Sequence, residues 1–293
     1  MTIGIIGNTS KENIGDVTSD IIEKIISHNI DFYISDSLKT ILNSTTLSDE
    51  KFKNENALSN LCDFLISIGG DGTMLSTSLL AHQNNIPVLG INFGKLGFLT
   101  EVDIAAVDNC LIDLKKNNYL IEERMILKGS CKNIETHPLF AVNDIVIDKG
   151  GWAKMIEISV SISGQYVTTF SADGLIIATP TGSTGYSLSV GGPIVNPRTD
   201  VITLSPISAH SLTMRPLVLP GNDEIFIKVE SMHDKIQIHS DGQRTIEIST
   251  PVEIQIEKSK NPLKLIKIGD SSYYEILRNK LLWGLDVRKY SKN

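Results

Sequence analysis

The sequence predicts an α/β domain with a parallel sheet, followed by an antiparallel β-rich domain. Three observations carry this. In the first hundred residues, short apolar runs alternate with segments of helical periodicity, as in βαβ units. After about residue 120, segments alternate apolar and polar residues with period two, as half-buried antiparallel strands do. Near the end, "YYEILRNKLLWGLDVR" is helical again and is expected to pack back on the first domain.

The elements follow in order. "IGIIG" (Ile3 to Gly7) reads as a buried strand, and "SDIIEKIISH" places Ile21, Ile22, Ile25 and Ile26 on one helical face. "IDFYIS", "FLISI" and "IPVLGI" supply three further strands, with a helix from Met74 to about His82. Ile104 to Asn117 reads as a helix bridging the domains, between "GFLTEVD" and "ERMILKG". "KMIEISVSISG", "EIFIKVES", "KIQIHSDGQRTIEIS" and "VEIQIEKS" are the alternating segments, and "SDGQ" is a tight hairpin turn. The expected domains are therefore 1–102 (α/β), 103–268 (β-rich) and 269–293 (a segment returning to the first).

Composition narrows the function. The chain has 293 residues and a formal net charge of −7, which argues against nucleic acid as a partner. A small anionic nucleotide stays compatible, because backbone amides hold phosphates without basic side chains. The 3 cysteines are widely spaced, with no CxxC or Cys/His cluster, so neither a disulfide framework nor a structural zinc site is expected. "MTIGIIGNTS" lacks a basic n-region and a long apolar h-region, and no run nears the roughly 20 apolar residues of a membrane span. These features point to a cytoplasmic chain without membrane partners.

Four segments could carry chemistry. In "GGDGT", Gly69, Gly70 and Gly72 stand where a parallel strand ends, the edge at which α/β sheets bind ligands, and they let phosphates approach the backbone. Thr73 could cap the next helix. A free carboxylate would repel phosphate, so Asp71 is expected to accept a proton from an attacking hydroxyl or to bind a magnesium ion; a turn aspartate bonding its own backbone would look the same. There is neither a GxxxxGK[ST] loop nor a GxGxxG after the first strand. "NFGKLGFLT" forms a bent loop at Gly94 and Gly97, with Lys95 as a possible phosphate partner.

In "NDIVID", Asn143 and Asp144 open an alternating strand and could hold the two vicinal hydroxyls of a ribose. In "SADGLIIATPTGSTGYSLSVGGPIV", the strand Leu175 to Ala178 runs into small hydroxylated residues and glycines suited to a polar ligand, and Tyr186 could stack on a ring. Asp173 precedes that strand and could read a ribose or a cationic ring. No Ser/His/Asp signature accompanies His210 or His239.

Taken together, "GGDGTML", "GINFGKLGFLTE", "EERMIL", "NDIVI", "DGLIIATPTGSTGYSLSVGGPIV", "SLTMRPLVLP" and "DGQ" resemble the NAD kinase family over almost the whole chain. The resemblance implies a Rossmann-like α/β domain, a β-sandwich domain and a last helix returning to the first. It implies transfer of the terminal phosphate of ATP, with Mg2+, to the 2′-hydroxyl of the adenosine ribose of NAD. It further implies a homodimer or homotetramer whose NAD sites are shared between subunits. By position, Asp71 resembles the residue that activates the hydroxyl, with Gly72 close to NAD. Asn143 and Asp144 resemble the adenine and ribose contacts, and Asp173 the aspartate at the nicotinamide end. Thr181, Thr184, Gly185, Tyr186 and Ser189 resemble the NAD-contacting loop. The chain departs from the pattern at Gly185, where many relatives have alanine, and at Asp144, where glutamate is commoner. It also has no arginine before Arg124 to meet the donor's phosphates. A lipid or sugar kinase sharing GGDG would leave the "TPTGSTGYSLSVGGP" segment only partly explained. A non-catalytic NAD(P) sensor would bind nucleotide without turnover.

Overall fold

The computed structural model describes residues 1–42, 47–94, 97–100, 102–132, 138–269 and 272–283. The chain divides into two compact units, Met1–Glu122 with the chain from Lys264 onward, and Glu123–Leu263.

The first unit is built on a sheet whose spatial order is Phe52–Lys53, Asp31–Ser35, Thr2–Gly7, Phe64–Gly69, Val88–Asn92, Leu263–Lys267 and Leu120–Arg124. Phe64–Gly69 and Val88–Asn92 are buried throughout, as strands covered on both faces must be. The neighbours Thr2–Gly7 and Phe64–Gly69 are parallel, with Gly7 opposite Ile68. The order runs one way from Thr2–Gly7 to Asp31–Ser35 and the other way to Phe64–Gly69. The strand order therefore reverses between the two strands that "GNTS" and "GGDG" follow. Such a reversal opens a crevice at the carboxyl ends of the strands.

Helix Ile14–Ser27 buries Ile14, Thr18, Ile21, Ile22 and Ile25. Ile26, expected on that face, is 52% exposed. At 100° per residue it lies 140° from Ile21, outside the stripe. The helix expected to bridge the domains is Val107–Lys115, and its Val107, Cys110, Leu111 and Leu114 join the first unit's core. The boundary accordingly falls after Glu122 rather than at 102. The other boundary also moves: Leu263–Lys267, expected in the β-rich domain, adds a parallel strand beside Val88–Asn92. A helix at Tyr273–Leu281 follows, within the expected helical stretch.

The second unit contains two antiparallel sheets, each of six strands among the described residues. One has the order Leu217–Pro220, Val201–Ile207, Gly174–Ala178, Asp144–Asp148, Lys235–Ser240 and Arg244–Ser249. Its inward residues, among them Ile145, Ile147, Leu175, Ile177 and Ile238, share one core with Ile158, Ile227 and Ile254 of the other sheet. Each such side chain contributes about 1.5–3 kcal/mol by leaving water. Asp144–Asp148 was expected to alternate but is buried on both faces. Val146, Ile176 and Ala178 form a second apolar cluster against Ile207 and Val190.

Candidate functional site

In the first unit, Phe64–Gly69 leads through Gly70 directly into helix Asp71–Gln83. The helix begins at Asp71, earlier than the expected Met74, so Thr73 lies inside the first turn and caps nothing. Its Oγ1 has no hydrogen-bond partner among the described residues and packs where a Cβ on Gly69 would overlap it. Asp71 at the first helical position suits the positive end of the helix dipole.

The Asp71 carboxylate is held from the second glycine segment. Oδ2 accepts the Phe98 N–H at 2.9 Å, while Oδ1 accepts the Leu99 N–H at 3.0 Å and the Thr100 hydroxyl at 3.4 Å. An ionised carboxylate offers about four acceptor positions, so among the described residues one remains, on Oδ2. Asp71 therefore fastens residues 98–100 to the glycine turn. Lys95 lies outside the described residues. Sequence reasoning missed Lys11, whose amine donates to the Phe93 carbonyl at 2.8 Å and stands 5.3 Å from the Phe93 ring centre.

In the second unit, a cleft of about 420 Å³ is lined by Asn143, Asp144, Val146, Asp148, Tyr186, His239, Asp241 and Gly242. Two of these residues, Asp241 and Gly242, belong to the "SDGQ" turn. Asp241 and Gly242 both adopt positive φ, as the Asp-Gly pair of a tight hairpin turn does. That conformation brings the Asp241 carboxylate to the Asn143 N–H at 2.7 Å, the Val142 N–H at 3.1 Å and Arg244 at 3.0 Å. Burial raises the Asp241 carboxyl above its ordinary range, and these hydrogen bonds oppose the rise. Asp144 is pushed up to about 7, first by burial and then by the charge of Asp241. A value of about 7 puts the change of charge of the buried Asp144 carboxyl, one of the residues lining the cleft, near neutrality.

The hydroxyl-rich segment is a folded turn, with a 3-10 stretch at Thr181–Thr184 and a short helix at Tyr186–Ser189. A Cβ on Gly182 would overlap the Asn143 carbonyl. The Gly185 Cβ position lies 3.8 Å from both Asn143 Nδ2 and Asp144 Oδ2, so the structure brings Asn143, Asp144, Gly185 and Tyr186 together. Tyr186 is 46% exposed, available to a flat ligand. Other members of the set are engaged in the fold. Thr181 is buried and accepts from Arg124 at 3.3 Å, Thr184 donates to the Thr181 carbonyl at 3.3 Å, and Ser189 donates to the Tyr186 carbonyl at 2.7 Å.

Asp173 pairs with Lys149 at 2.6 Å, outside this cleft. Asp144 is opposite Ala178, five residues along from Asp173, or roughly 17 Å at strand spacing. The Asp-Gly pair of "SDGQ" is the sequence signal for Asp241, whereas the reach of Arg124 to Thr181 has no local signal. No group of three His, Cys, Asp or Glu that could hold a metal occurs among the described residues.

Comparison with known proteins adds independent findings. Residues 3–119 match the ATP-NAD kinase N-terminal domain, and residues 142–268 the ATP-NAD kinase C-terminal domain. A NAD kinase of Clostridium botulinum (strain Kyoto / Type A2) is 39% identical over 95% of this chain and 95% of its own length. One from Citrifermentans bemidjiense is 37% identical, covering 92% of this chain and 93% of that one. Among solved structures, a NAD kinase from Archaeoglobus fulgidus in complex with ATP aligns with a TM-score of 0.74 and 25% identity, over 96% of this chain and 99% of that one. Yeast NADH kinase complexed with NADH aligns at TM-score 0.87 and 24% identity, over 98% and 88%, and speaks to the fold.

Proposed function

This chain belongs to the NAD kinase family and phosphorylates NAD with ATP; we propose that the phosphate goes to the 2′-hydroxyl of the adenosine ribose, with Asp71 as general base. The observation that carries the role of Asp71 is its carboxylate, fastened by the Phe98 and Leu99 amides with one acceptor position left on Oδ2. The ribose hydroxyl gives its proton to Oδ2 while its oxygen forms the bond to the γ-phosphorus. The bond from that phosphorus to the bridging oxygen breaks, and ADP leaves. Phosphoryl transfer depends mainly on positioning and charge stabilisation, so a short list of residues suffices.

Gly69, Gly70, Gly72 and Thr73 form the turn that receives the donor's phosphates, and Gly72 also lies close to NAD. Asn143, Asp144, Gly185 and Tyr186 meet the adenosine, a reading supported by their convergence on one cleft. Thr181, Thr184 and Ser189 complete the NAD loop, with Thr181 acting through its backbone because its hydroxyl is engaged by Arg124. Asp173 serves the nicotinamide end, in keeping with its distance along the sheet from Asp144. Magnesium would enter on the nucleotide, since phosphate oxygens and waters ordinarily supply most of its ligands. When bound, it neutralises phosphate charge.

The same reading includes association into a homodimer or homotetramer with a shared NAD site; Tyr166, Leu212 and Met232 of the second unit are exposed apolar side chains that a partner subunit would cover. No described helix is long and apolar enough to cross a membrane. A cytoplasmic location suits three cysteines that are all free thiols. The test is product identity: with NAD, ATP and magnesium, an NADP-specific dehydrogenase should detect the product. A phosphorylated product that this dehydrogenase does not accept would place the phosphate elsewhere.

A further inference from the structure

Transfer from ATP brings a triphosphate to a turn whose own charged side chain, Asp71, is negative, and the chain has no arginine before Arg124 to offset it. From the geometry of the first unit we infer that Lys11 is the cation that positions the donor's phosphates. The inference rests on the NAD kinase reading above.

Lys11 follows the strand Thr2–Gly7, and the glycine turn follows its parallel neighbour Phe64–Gly69, so the two flank the point where strand order reverses. The turn that carries Lys11 is ordered. The Ser10 amide donates to Asn8 Oδ1 at 3.0 Å, the Lys11 amide to the Asn8 carbonyl at 3.2 Å, and the Asn8 amide to the Ile68 carbonyl at 3.4 Å. The amine reaches back over the sheet edge to the Phe93 carbonyl and ring. It stands 3.8 Å from where a Cβ on Gly70 would lie and 3.9 Å from the same point on Gly94. Among the described residues it is the sole atom within 4 Å of either point outside the glycine and its chain neighbours, so glycine backbone borders the ammonium at both.

Among the described residues no carboxylate comes within 4.0 Å of this amine, whereas Lys24 and Lys39 of the same unit are paired with Asp20 and Asp49. An ammonium has three donors, and the Phe93 carbonyl takes one. A half-buried cation with two donors unspent among the described residues, beside two glycines, is suited to phosphate oxygens.

The test compares wild type with Lys11→Met, which keeps the stem over Phe93, Lys11→Arg, which keeps the charge, and Lys39→Met as a control. Two quantities are read: KM for ATP and for NAD, and the affinity for inorganic tripolyphosphate by calorimetry. Lys11→Met should raise both KM for ATP and the Kd for tripolyphosphate by about 10- to 100-fold, the range of a lost charged hydrogen bond. KM for NAD and the control should stay within about twofold, and Lys11→Arg should recover most of the loss. Unchanged tripolyphosphate affinity and KM for ATP in Lys11→Met would overturn the inference, whatever happens to kcat. Should Lys11→Met fail to fold, Lys11→Gln decides on the same two quantities. A wild type that makes no NADP, yet binds tripolyphosphate through Lys11, would overturn the functional reading and leave the assignment of Lys11 standing.

Discussion

The carboxylate of Asp71 occupies the space that a side chain at Gly97 would need; a Cβ there would lie 2.6 Å from Cγ and would overlap Oδ1. The two glycine segments of the first unit are thus one device. The first positions the aspartate, and the second has no side chain at 97 so that its amides can grip it.

Replacing Gly97 with Ala therefore acts through Asp71. The methyl must displace either the carboxylate or residues 98–100, at about 1–3 kcal/mol for an overpacked site. The expected outcome is lower stability in urea melts together with a fall in kcat larger than the change in KM for NAD. Wild-type kcat in a folded Gly97→Ala protein would contradict the coupling.

Gly182 and Gly185 should respond differently to alanine. Gly182→Ala would drive a methyl into the Asn143 carbonyl, whereas at Gly185 the nearest atom, the Gly182 carbonyl oxygen, is 3.2 Å away. Gly185→Ala should keep its thermal midpoint close to wild type and still bind NAD, because Gly185 has negative φ and needs only a few tenths of an ångström of adjustment. Gly182→Ala should be destabilised by about 1–3 kcal/mol or more. Thermal melts of both proteins decide it.

Asp241 ties the strand entry at 142–144 to the hairpin turn by accepting hydrogen bonds from the Val142 and Asn143 amides, and pairs with Arg244 of the same hairpin. Asp241→Ala leaves the Val142 and Asn143 amides without their acceptor and Arg244 without its carboxylate partner, at about 3–5 kcal/mol. Chemical denaturation should show the loss, and NAD affinity should fall with it because Asn143 and Asp144 start at that point.

The raised Asp144 carboxyl sets a pH dependence whose sign is fixed. With a folded value of about 7 against an ordinary 3.8, the folded state keeps a proton that the unfolded chain releases between these values. This group's contribution is therefore most favourable on the acid side and declines as pH rises through about 4 to 7, by on the order of a few kcal/mol in total. Asp144→Asn should flatten that slope and be the more stable protein at pH 8. NAD affinity in wild type should rise between about pH 6 and 8, as the carboxylate becomes an acceptor for ribose hydroxyls, and should be flat in Asp144→Asn. Equal pH slopes in the two proteins would contradict the assignment.

What the sequence revealed follows the range of the interactions. Strands such as Phe64–Gly69, the Asp-Gly hairpin turn and the glycine turn were legible because period, turn chemistry and apolar runs are local. Leu263–Lys267 was not: its alternation resembles the strands before it, and only pairing with Val88–Asn92 assigns it to the first sheet. Lys11 was invisible for the same reason, because its neighbours Phe93 and Gly70 are brought in by strand order. The reach of Asp71 to Phe98 and Leu99 spans 27 and 28 residues, so the residue drew notice while its partners did not. Asp144 and Asp241, 97 residues apart, could be marked singly, but the burial that raises Asp144 needs the folded cleft.

The most direct test of the account is the rate of NADP formation from NAD and ATP by Asp71→Asn beside wild type, at saturating substrates, with nucleotide binding measured on both. The amide keeps one oxygen for the Phe98 or Leu99 amide but cannot take up the hydroxyl's proton. The account predicts a rate lower by about 10²- to 10⁴-fold, with NAD and ATP still bound. An Asp71→Asn enzyme that turns over at the wild-type rate would show that the aspartate among the glycines is a structural latch and not the base.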